Sequence, residues 1–402
     1  MTESVRRIYL HVGAPKTGTS FVQDILFNHR AELREQGILY AADRHDAHFL
    51  AALDLMDLPW GGLEQEATGA WDRLAAEVRA WPGTAIISHE ILGFASRVHV
   101  ERALASLGDA EVHVVLSARD LVRQIPAEWQ ENVKHRRTLR YGAFLDELRD
   151  EKRSGDVARW FWGVQEVPDV LERWTAGIPS EHVHVVTVPP PGSAPNLLWE
   201  RFAGVFGLDP VKFAPGDRVN TSLGVPESAM VRRLNTRLND VLPNHHYRGL
   251  VRELLVHQNL SARSGSPRLA LSPEAHAWAA GLGRSWVTEL VQRGYDVVGD
   301  LDELLPSDPG PFTDPDACDE AAVADAAIEA LALMTREAAR LRDVESELRE
   351  VVADRDREIQ RLRSTGVHRA KERFVQKAET STLARGSLAV YRRLRGRNSR
   401  ST

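Results

Sequence analysis

The sequence predicts an α/β protein, with a parallel central sheet flanked by helices and a C-terminal coiled-coil helix behind it. Three observations carry that prediction. Five short runs, apolar with little alternation, are separated by amphipathic stretches over the first two-thirds of the chain, as in sheets covered on both faces. The first run ends in a small-residue turn that opens a helix. Beyond a proline-rich break, apolar residues return at steps of three, four or seven among dense charges.

In chain order, the predicted strands are 8–12, 37–40, 84–88, 112–117 and 182–188. Val22, Ile25 and Leu26 place one apolar stripe on the helix that follows the first strand, and 121–134 reads as the helix after the fourth. The chain breaks at Pro189, Pro190, Pro191 and Gly192, then resumes as a helix over 197–205. Residues 226–295 read as helical throughout, with a polar interruption at 261–267. Four prolines between 305 and 316 mark a linker. The domain reading is therefore an α/β domain over 1–304, a linker over 305–320, a coiled-coil helix over 321–365 and a basic tail over 366–402. The seam of that helix runs through Ile328, Leu331, Met334, Ala338, Leu341, Val344, Leu348, Val352, Ile359 and Leu362, and the step from Val352 skips a core position. It implies a homo-oligomer. The tail has ten Lys/Arg against two Glu, a charge that suits weak contact with an anionic membrane surface.

Composition narrows the function. The chain has 402 residues, 43% hydrophobic and 27% charged, enough for a sizeable core in two or three units. A net charge of −6 is too mild to indicate a nucleic-acid partner. Cys318 is the single cysteine, so neither an intramolecular disulfide nor a cysteine-rich metal site can form. No apolar run has the roughly 18–20 residues of a membrane span, and the N-terminus has no signal-peptide core, so the expectation is a cytoplasmic protein.

The most informative segment is Val12-Gly13-Ala14-Pro15-Lys16-Thr17-Gly18-Thr19-Ser20. Small residues let the backbone approach an anion, and the first N–H groups of a helix beginning near Thr19 lack intrahelical acceptors. Hydroxyls of Thr17, Thr19 and Ser20 add donors, and Lys16 adds a compact positive charge. A nucleotide P-loop reads G-x-x-x-x-G-K-[ST]; framed on Gly13 and Gly18, this chain has Thr19 where that lysine belongs. The P-K-T-G-T-S string instead resembles the 5′-phosphosulfate loop of the PAPS-dependent sulfotransferases. That resemblance implies a P-loop-like sulfotransferase fold over residues 5–295, with PAPS as co-substrate and no metal.

A second motif supports the resemblance. In that family a strand about a hundred residues on ends in an arginine that holds the cofactor's 3′-phosphate, joined by a serine eight residues later. Here the strand ends at Ser117-Ala118-Arg119-Asp120, and a guanidinium suits bidentate phosphate binding. The eighth residue on is Ala127, a departure that leaves Ser117, Arg123 or Gln124 as substitutes, Arg123 foremost. The string Arg123-Gln124-Ile125-Pro126-Ala127-Glu128-Trp129-Gln130-Glu131 resembles a bacterial branch of the family reading R-Q-x-P-[SA]-x-W-Q-E. Arg218-Val219-Asn220-Thr221-Ser222 resembles its R-x-N-x-S string near the cofactor, which adds Asn220 and Ser222 to the binding set.

Sulfuryl transfer needs a base to take the acceptor's proton and a cation on the leaving phosphate. The resemblance puts Lys16 on the bridging oxygen and the base just after the third strand, where His89 and Glu90 stand. Glu90 is favoured, with His89 its rival or partner. Trp129, Trp160, Phe161, Trp162 and Trp174 are candidates for an acceptor cleft or for core. His11 packs under the loop, and the metal-like strings His245-His246 and 43–48 read as surface loops. The expected activity is sulfuryl transfer from PAPS to a hydroxyl or amine of a small molecule, glycan or lipid. Two alternatives stand beside it: a kinase-like nucleotide-binding protein using Asp120 as a metal-holding acid, and an inactive α/β domain serving coiled-coil interactions.

Overall fold

The computed structural model describes residues 6–214 and 222–364, with 366, 370, 372, 373 and 376 beyond them. Six strands, β1 (Arg7–His11), β2 (Ile38–Tyr40), β3 (Thr84–Ser88), β4 (Glu111–Ala118), β5 (Val183–Thr187) and β6 (Asp296–Val298), form one sheet. Their order is β2-β3-β1-β4-β5-β6, and every pairing is parallel. The helices that matter for the site and for the second unit are α1 (Thr19–Asn28), α2 (Leu121–Lys134), α3 (Leu197–Phe206), α4 (Val225–Leu238), α5 (Pro273–Arg293) and α6 (Glu320–Ser364).

Five strands match the predicted runs to within one residue at each end. β6 does not; the helical pattern runs to residue 295, and no strand is expected beyond it. The stretch 226–295 is also less uniform than its pattern suggests. α4 gives way to a π-helical segment, Tyr247–His257, and α5 starts only at Pro273, capped by Ser272. Asp316 closes the proline-rich 305–316 segment, accepting the backbone N–H groups of Tyr141 at 3.1 Å and Gly142 at 2.8 Å.

Parallel strands need crossovers, so both faces of the sheet are covered and the strands bury side chains both ways. On one face Tyr9, Val115 and Val186 pack with Val22, Ile25 and Leu26 of α1 and with Trp199, Phe202 and Phe206 of α3. Ile8, Leu10, Val114 and Leu116, alternating with these, are also fully buried. The chain runs from β1 out to β2, back through β3, and across β1 to β4, β5 and β6. The direction of travel reverses between β1 and β4, and a crevice opens outside the carboxyl ends of two such strands.

Two compact units divide after Ala330. In the first, Val323, Ala326 and Ala330 at the start of α6 are buried, at steps of three and four. In the second, Leu341, Val344, Leu348, Val352 and Ala353 line one side of α6 together with Glu345, Arg349 and Asp356, and Leu341, Val344, Leu348, Val352, Ile359 and Leu362 are exposed. Local ion pairs run along the helix, such as Arg340–Glu337 at 2.6 Å and, on that side, Arg349–Glu345 at 2.7 Å. The basic tail from 366 lies outside the described residues except for the few named. Among the described residues no helix is long and apolar enough to cross a membrane.

Candidate active site

The loop after β1 is shaped by backbone pairing that continues past the strand. Val12 donates to the Val115 carbonyl at 2.9 Å, Ala14 to Ser117 at 3.0 Å, and Ser117 back to Gly13 at 2.7 Å. The loop is thereby fastened to the end of β4. Lys16 has φ 62° and Gly18 φ 88°, the left-handed region that turns the chain into α1. Phe21 and Val22 N–H groups bond the Gly18 carbonyl, so the first turn of α1 closes on that glycine.

Beneath the loop lies a buried polar layer. The Ser117 hydroxyl donates to the Gly13 carbonyl at 2.8 Å, and the Thr17 hydroxyl bonds the Ala14 carbonyl and Ser117. His11 reaches Ser88 through Nδ1 at 2.8 Å, and burial pulls its ring down to about 4, so it stays neutral. Thr17 and Ser117, both expected from the sequence to face a ligand, instead brace the loop from below. Thr19 is buried and Ser20 exposed at the start of α1.

Arg119 leaves the end of β4 and donates from a terminal nitrogen to the Lys16 carbonyl at 3.3 Å. Its Nε is buried without a hydrogen-bond partner among the described residues. Burial, and next the Arg123 guanidinium, push Arg119 down to about 10. Arg119 thus feels the charge of Arg123 and, in the opposite sense, that of the Asp120 carboxylate. Asp120 caps α2, accepting the Arg123 N–H at 2.9 Å, and its other oxygen takes the Arg123 side chain. Arg123 also donates to the Pro189 carbonyl at 3.2 Å. With both oxygens of Asp120 turned to Arg123, its work is capping, and the kinase-like use of this residue finds no support.

His89 and Glu90 follow β3, on the other side of β1. The Glu90 carboxylate accepts from Gln23 of α1 at 2.9 Å and lies 4.0 Å from His89 Nδ1. Burial works against its charge, but His89, Gln23 and a backbone N–H outweigh that and hold the carboxyl below its usual range. His89 Nδ1 accepts the Ile91 N–H at 3.3 Å, so a neutral ring carries its proton on Nε2. Burial lowers the ring, Glu90 notwithstanding, which keeps it neutral. Near neutral pH the pair is therefore an ionised acceptor beside a neutral donor.

Two acidic residues of α2 complete the site, and the sequence motifs give them no role. Glu131 accepts from Lys16 Nζ at 2.8 Å and from His135 at 3.2 Å, with Lys134 at 3.6 Å. Against burial, His135, Lys16 and Lys134 hold this carboxyl well below its usual range. Glu128, one turn earlier, is 5% exposed and its Oε2 has no hydrogen-bond partner among the described residues. Burial pushes it up to about 7; Lys16 opposes, while Glu131 and Glu90 add to the rise. Gln124 lies one turn before Glu128 and donates to the Pro15 carbonyl, as does Gln165 at 3.1 Å. A signal is present in the spacing: Gln124, Glu128 and Glu131 at i, i+4 and i+7 put polar residues on one face of α2.

Of the aromatic cluster expected at the cleft, Trp129, Phe161, Trp162 and Trp174 are core, and the three indole nitrogens are bonded to backbone carbonyls. Trp160 alone is half-buried and joins residues from elsewhere. Ring contacts run His89–Phe49 at 5.1 Å, Phe49–Trp60 at 5.7 Å, Trp60–Trp160 at 5.5 Å and Trp160–Phe94 at 5.0 Å. This half-buried aromatic strip begins at His89. Ser222 is exposed, and Asn220 lies outside the described residues. His48 is buried in the core, whereas His45, His245 and His246 are exposed. Compared with known family models, curated proteins and solved structures, the chain matches none.

Proposed function

We propose that this chain is a sulfotransferase, moving a sulfuryl group from PAPS to a hydroxyl or amine of a small-molecule, glycan or lipid acceptor on a P-loop-like sulfotransferase fold. One observation carries the reading: the Arg119 guanidinium donates to the Lys16 carbonyl, so two motifs a hundred residues apart in sequence share one crevice between β1 and β4. An anion with phosphate at both ends suits that crevice. The start of α1 and Lys16 would hold the 5′-phosphosulfate end, and Arg119 beside Arg123 the 3′-phosphate. Arg119's orphaned Nε and the adjacent guanidiniums are what such an anion would satisfy. The hydroxyl missing at Ala127 is offset by the second guanidinium.

Glu90 is the base. It is ionised, accepts only, and is held by Gln23 on the helix that opens at the loop. The acceptor oxygen forms its bond to sulfur as its proton passes to Glu90, and the sulfur–oxygen bond to the phosphate breaks with its electron pair on that oxygen. Lys16 meets the charge that develops there, and Glu131 fixes the direction of the amine. His89, with its proton on Nε2, is a donor that orients the acceptor. The strip of Phe49, Trp60, Phe94 and Trp160 offers a flat apolar wall for the acceptor's body.

The test is thermal protection in EDTA by PAP, the desulfated product. At about one hundred times its dissociation constant a ligand adds about 2.7 kcal/mol, a readable rise in melting temperature. ATP with Mg²⁺ giving the larger rise, or PAP giving none, would overturn the reading.

A further inference from the structure

At the opposite edge of the sheet, where β4 and β5 begin, stands a group with no part in the crevice. Glu111 and His113 are on β4, His182 precedes β5, His184 is on β5 and Asp296 on β6. With strand residues rising about 3.3 Å each, β4 puts roughly 20 Å between Glu111 and the loop.

Tracing the hydrogen bonds along this row leaves one contact unbalanced. His184 Nδ1 is 2.6 Å from an Asp296 carboxylate oxygen, and an ionised carboxylate only accepts, so Nδ1 carries the proton. In a neutral ring His184 Nε2 then accepts, and its partner at 2.8 Å is His113 Nδ1, which must donate. A neutral His113 therefore presents a bare lone pair at Nε2. That atom faces Glu111 Oε1 at 2.9 Å, an oxygen that can only accept. The Arg7 guanidinium already serves that oxygen, so what stays unmatched is the His113 Nε2 lone pair, which calls for a metal ion or a proton of its own.

A third donor atom is close. The His182 ring is stacked on His113, with centroids 4.3 Å apart and planes at 28°, and its nitrogens make no hydrogen bond among the described residues. One ligand atom from each of Glu111, His113 and His182 lies within 4.8 Å of the others. Ligands on a tetrahedral zinc-class ion, about 2.1 Å from it, are about 3.4 Å apart, so an ion would open the 2.9 Å contact between His113 and Glu111 and turn the stacked His182 ring toward it. We propose that Glu111, His113 and His182 form a divalent transition-metal site of the zinc class, independent of sulfuryl transfer.

The surroundings have the form that metal ligands require. His113 hands its other ring proton to His184, and His184 hands its own to Asp296, which fixes the ring and raises the basicity of Nε2. Arg7 Nε donates to Glu111 Oε1 at 2.7 Å and orients the carboxylate. His113 is buried while Glu111 and His182 are half-buried, so the site is anchored on one side and open on the other. A metal here would tie the starts of β4 and β5 together. Two imidazoles and a carboxylate favour zinc or cobalt over magnesium or calcium.

The experiment titrates the untagged full-length chain, stripped with a chelator, with Co²⁺ as a visible probe. One equivalent should bind with the strong d–d absorption of a low-coordinate site, and Zn²⁺ should displace it. His182→Ala and Glu111→Gln, with circular dichroism matching the parent, should each weaken binding by about 100-fold or more. Asp296→Asn, which touches no metal, should weaken it by about 10–100-fold. Replacing His245 and His246 should change nothing. Absence of stoichiometric Co²⁺ binding, binding that survives His182→Ala, or binding lost with His245 and His246 would overturn the proposal. Absent metal uptake with an imidazolium at His113 or His184 by NMR would overturn it in favour of a proton in the gap.

Discussion

Glu128 shows how one residue's surroundings outrank its type. A carboxyl at the surface is ionised at pH 7, but this one is buried among Glu131 and Glu90, and the nearby Lys16 does not fully compensate. Its value is raised above that of the unfolded chain, so the folded state binds the extra proton between about pH 4.5 and 7. The stability this contributes is present below the unfolded value and lost as pH rises through about 7. Glu128→Gln should therefore match the parent near pH 5 and exceed it at pH 8, by on the order of 3 kcal/mol. Melting temperatures that differ equally at both pH values would show that Glu128 is ionised throughout. Arg119 supplies the second residue-scale prediction. Arg119→Ala should weaken PAP, which carries a 3′-phosphate, by about tenfold or more, and leave adenosine 5′-phosphosulfate, which has none, within about twofold. Calorimetric titration of both ligands separates the outcomes, and equal losses would remove Arg119 from the 3′-phosphate. Sequence points to Arg119 and Lys16 because charged residues in a strand-exit turn have few structural uses. It misdirects at Thr17 and Ser117, because a hydroxyl serves equally well as a loop brace or a ligand donor and only burial separates the two.

Among elements, the turn between β1 and α1 and the adjoining helix α3 test the backbone argument with two glycines. Gly18 has φ 88°, and a Cβ there would come within 2.5 Å of Leu198 Cδ2 on α3. Gly18→Ala should cost about 1–2 kcal/mol from the left-handed conformation, before any displacement of Leu198. It should also weaken PAP by moving the N–H groups at the start of α1. Gly204, in α3, has an ordinary helical φ and room for a methyl group, with no atom within 4 Å of where its Cβ would lie. Gly204→Ala should therefore stabilise by about 0.5–1 kcal/mol. Urea unfolding checks both, and the same sign for the two substitutions would contradict the assignment. α2 is legible to the residue, 121–134, because Asp120 is a strong cap and the apolar pattern continues through Pro126. β6 is not, because three residues are too few for a period to register and only pairing with β5 makes them a strand.

For the whole molecule, the second unit offers along one side of α6 a row of apolar residues with Glu345, Arg349 and Asp356 beside them, the pattern of a helix that associates with another copy. We propose a homo-oligomer through that side. Leu341→Glu combined with Leu348→Glu in the full chain should lower the mass found by analytical ultracentrifugation, with the thermal transition of the first unit unchanged. An unchanged mass would dismiss the seam. The sequence by itself determined the α/β class, five of six strands, the long last helix and the two cationic motifs, because hydrophobic period, capping residues and turn residues are local signals. Only the tertiary structure decided which strands are neighbours, and with that everything that depends on distance. It put Arg119 on the Lys16 carbonyl, turned Glu128 into a buried acid, drew Phe49, Trp60, Phe94 and Trp160 from separate segments into one strip, and aligned Glu111, His113, His184 and Asp296 across β4, β5 and β6. Strand order places residues far apart in sequence within reach of one another, and no periodicity along the chain encodes it.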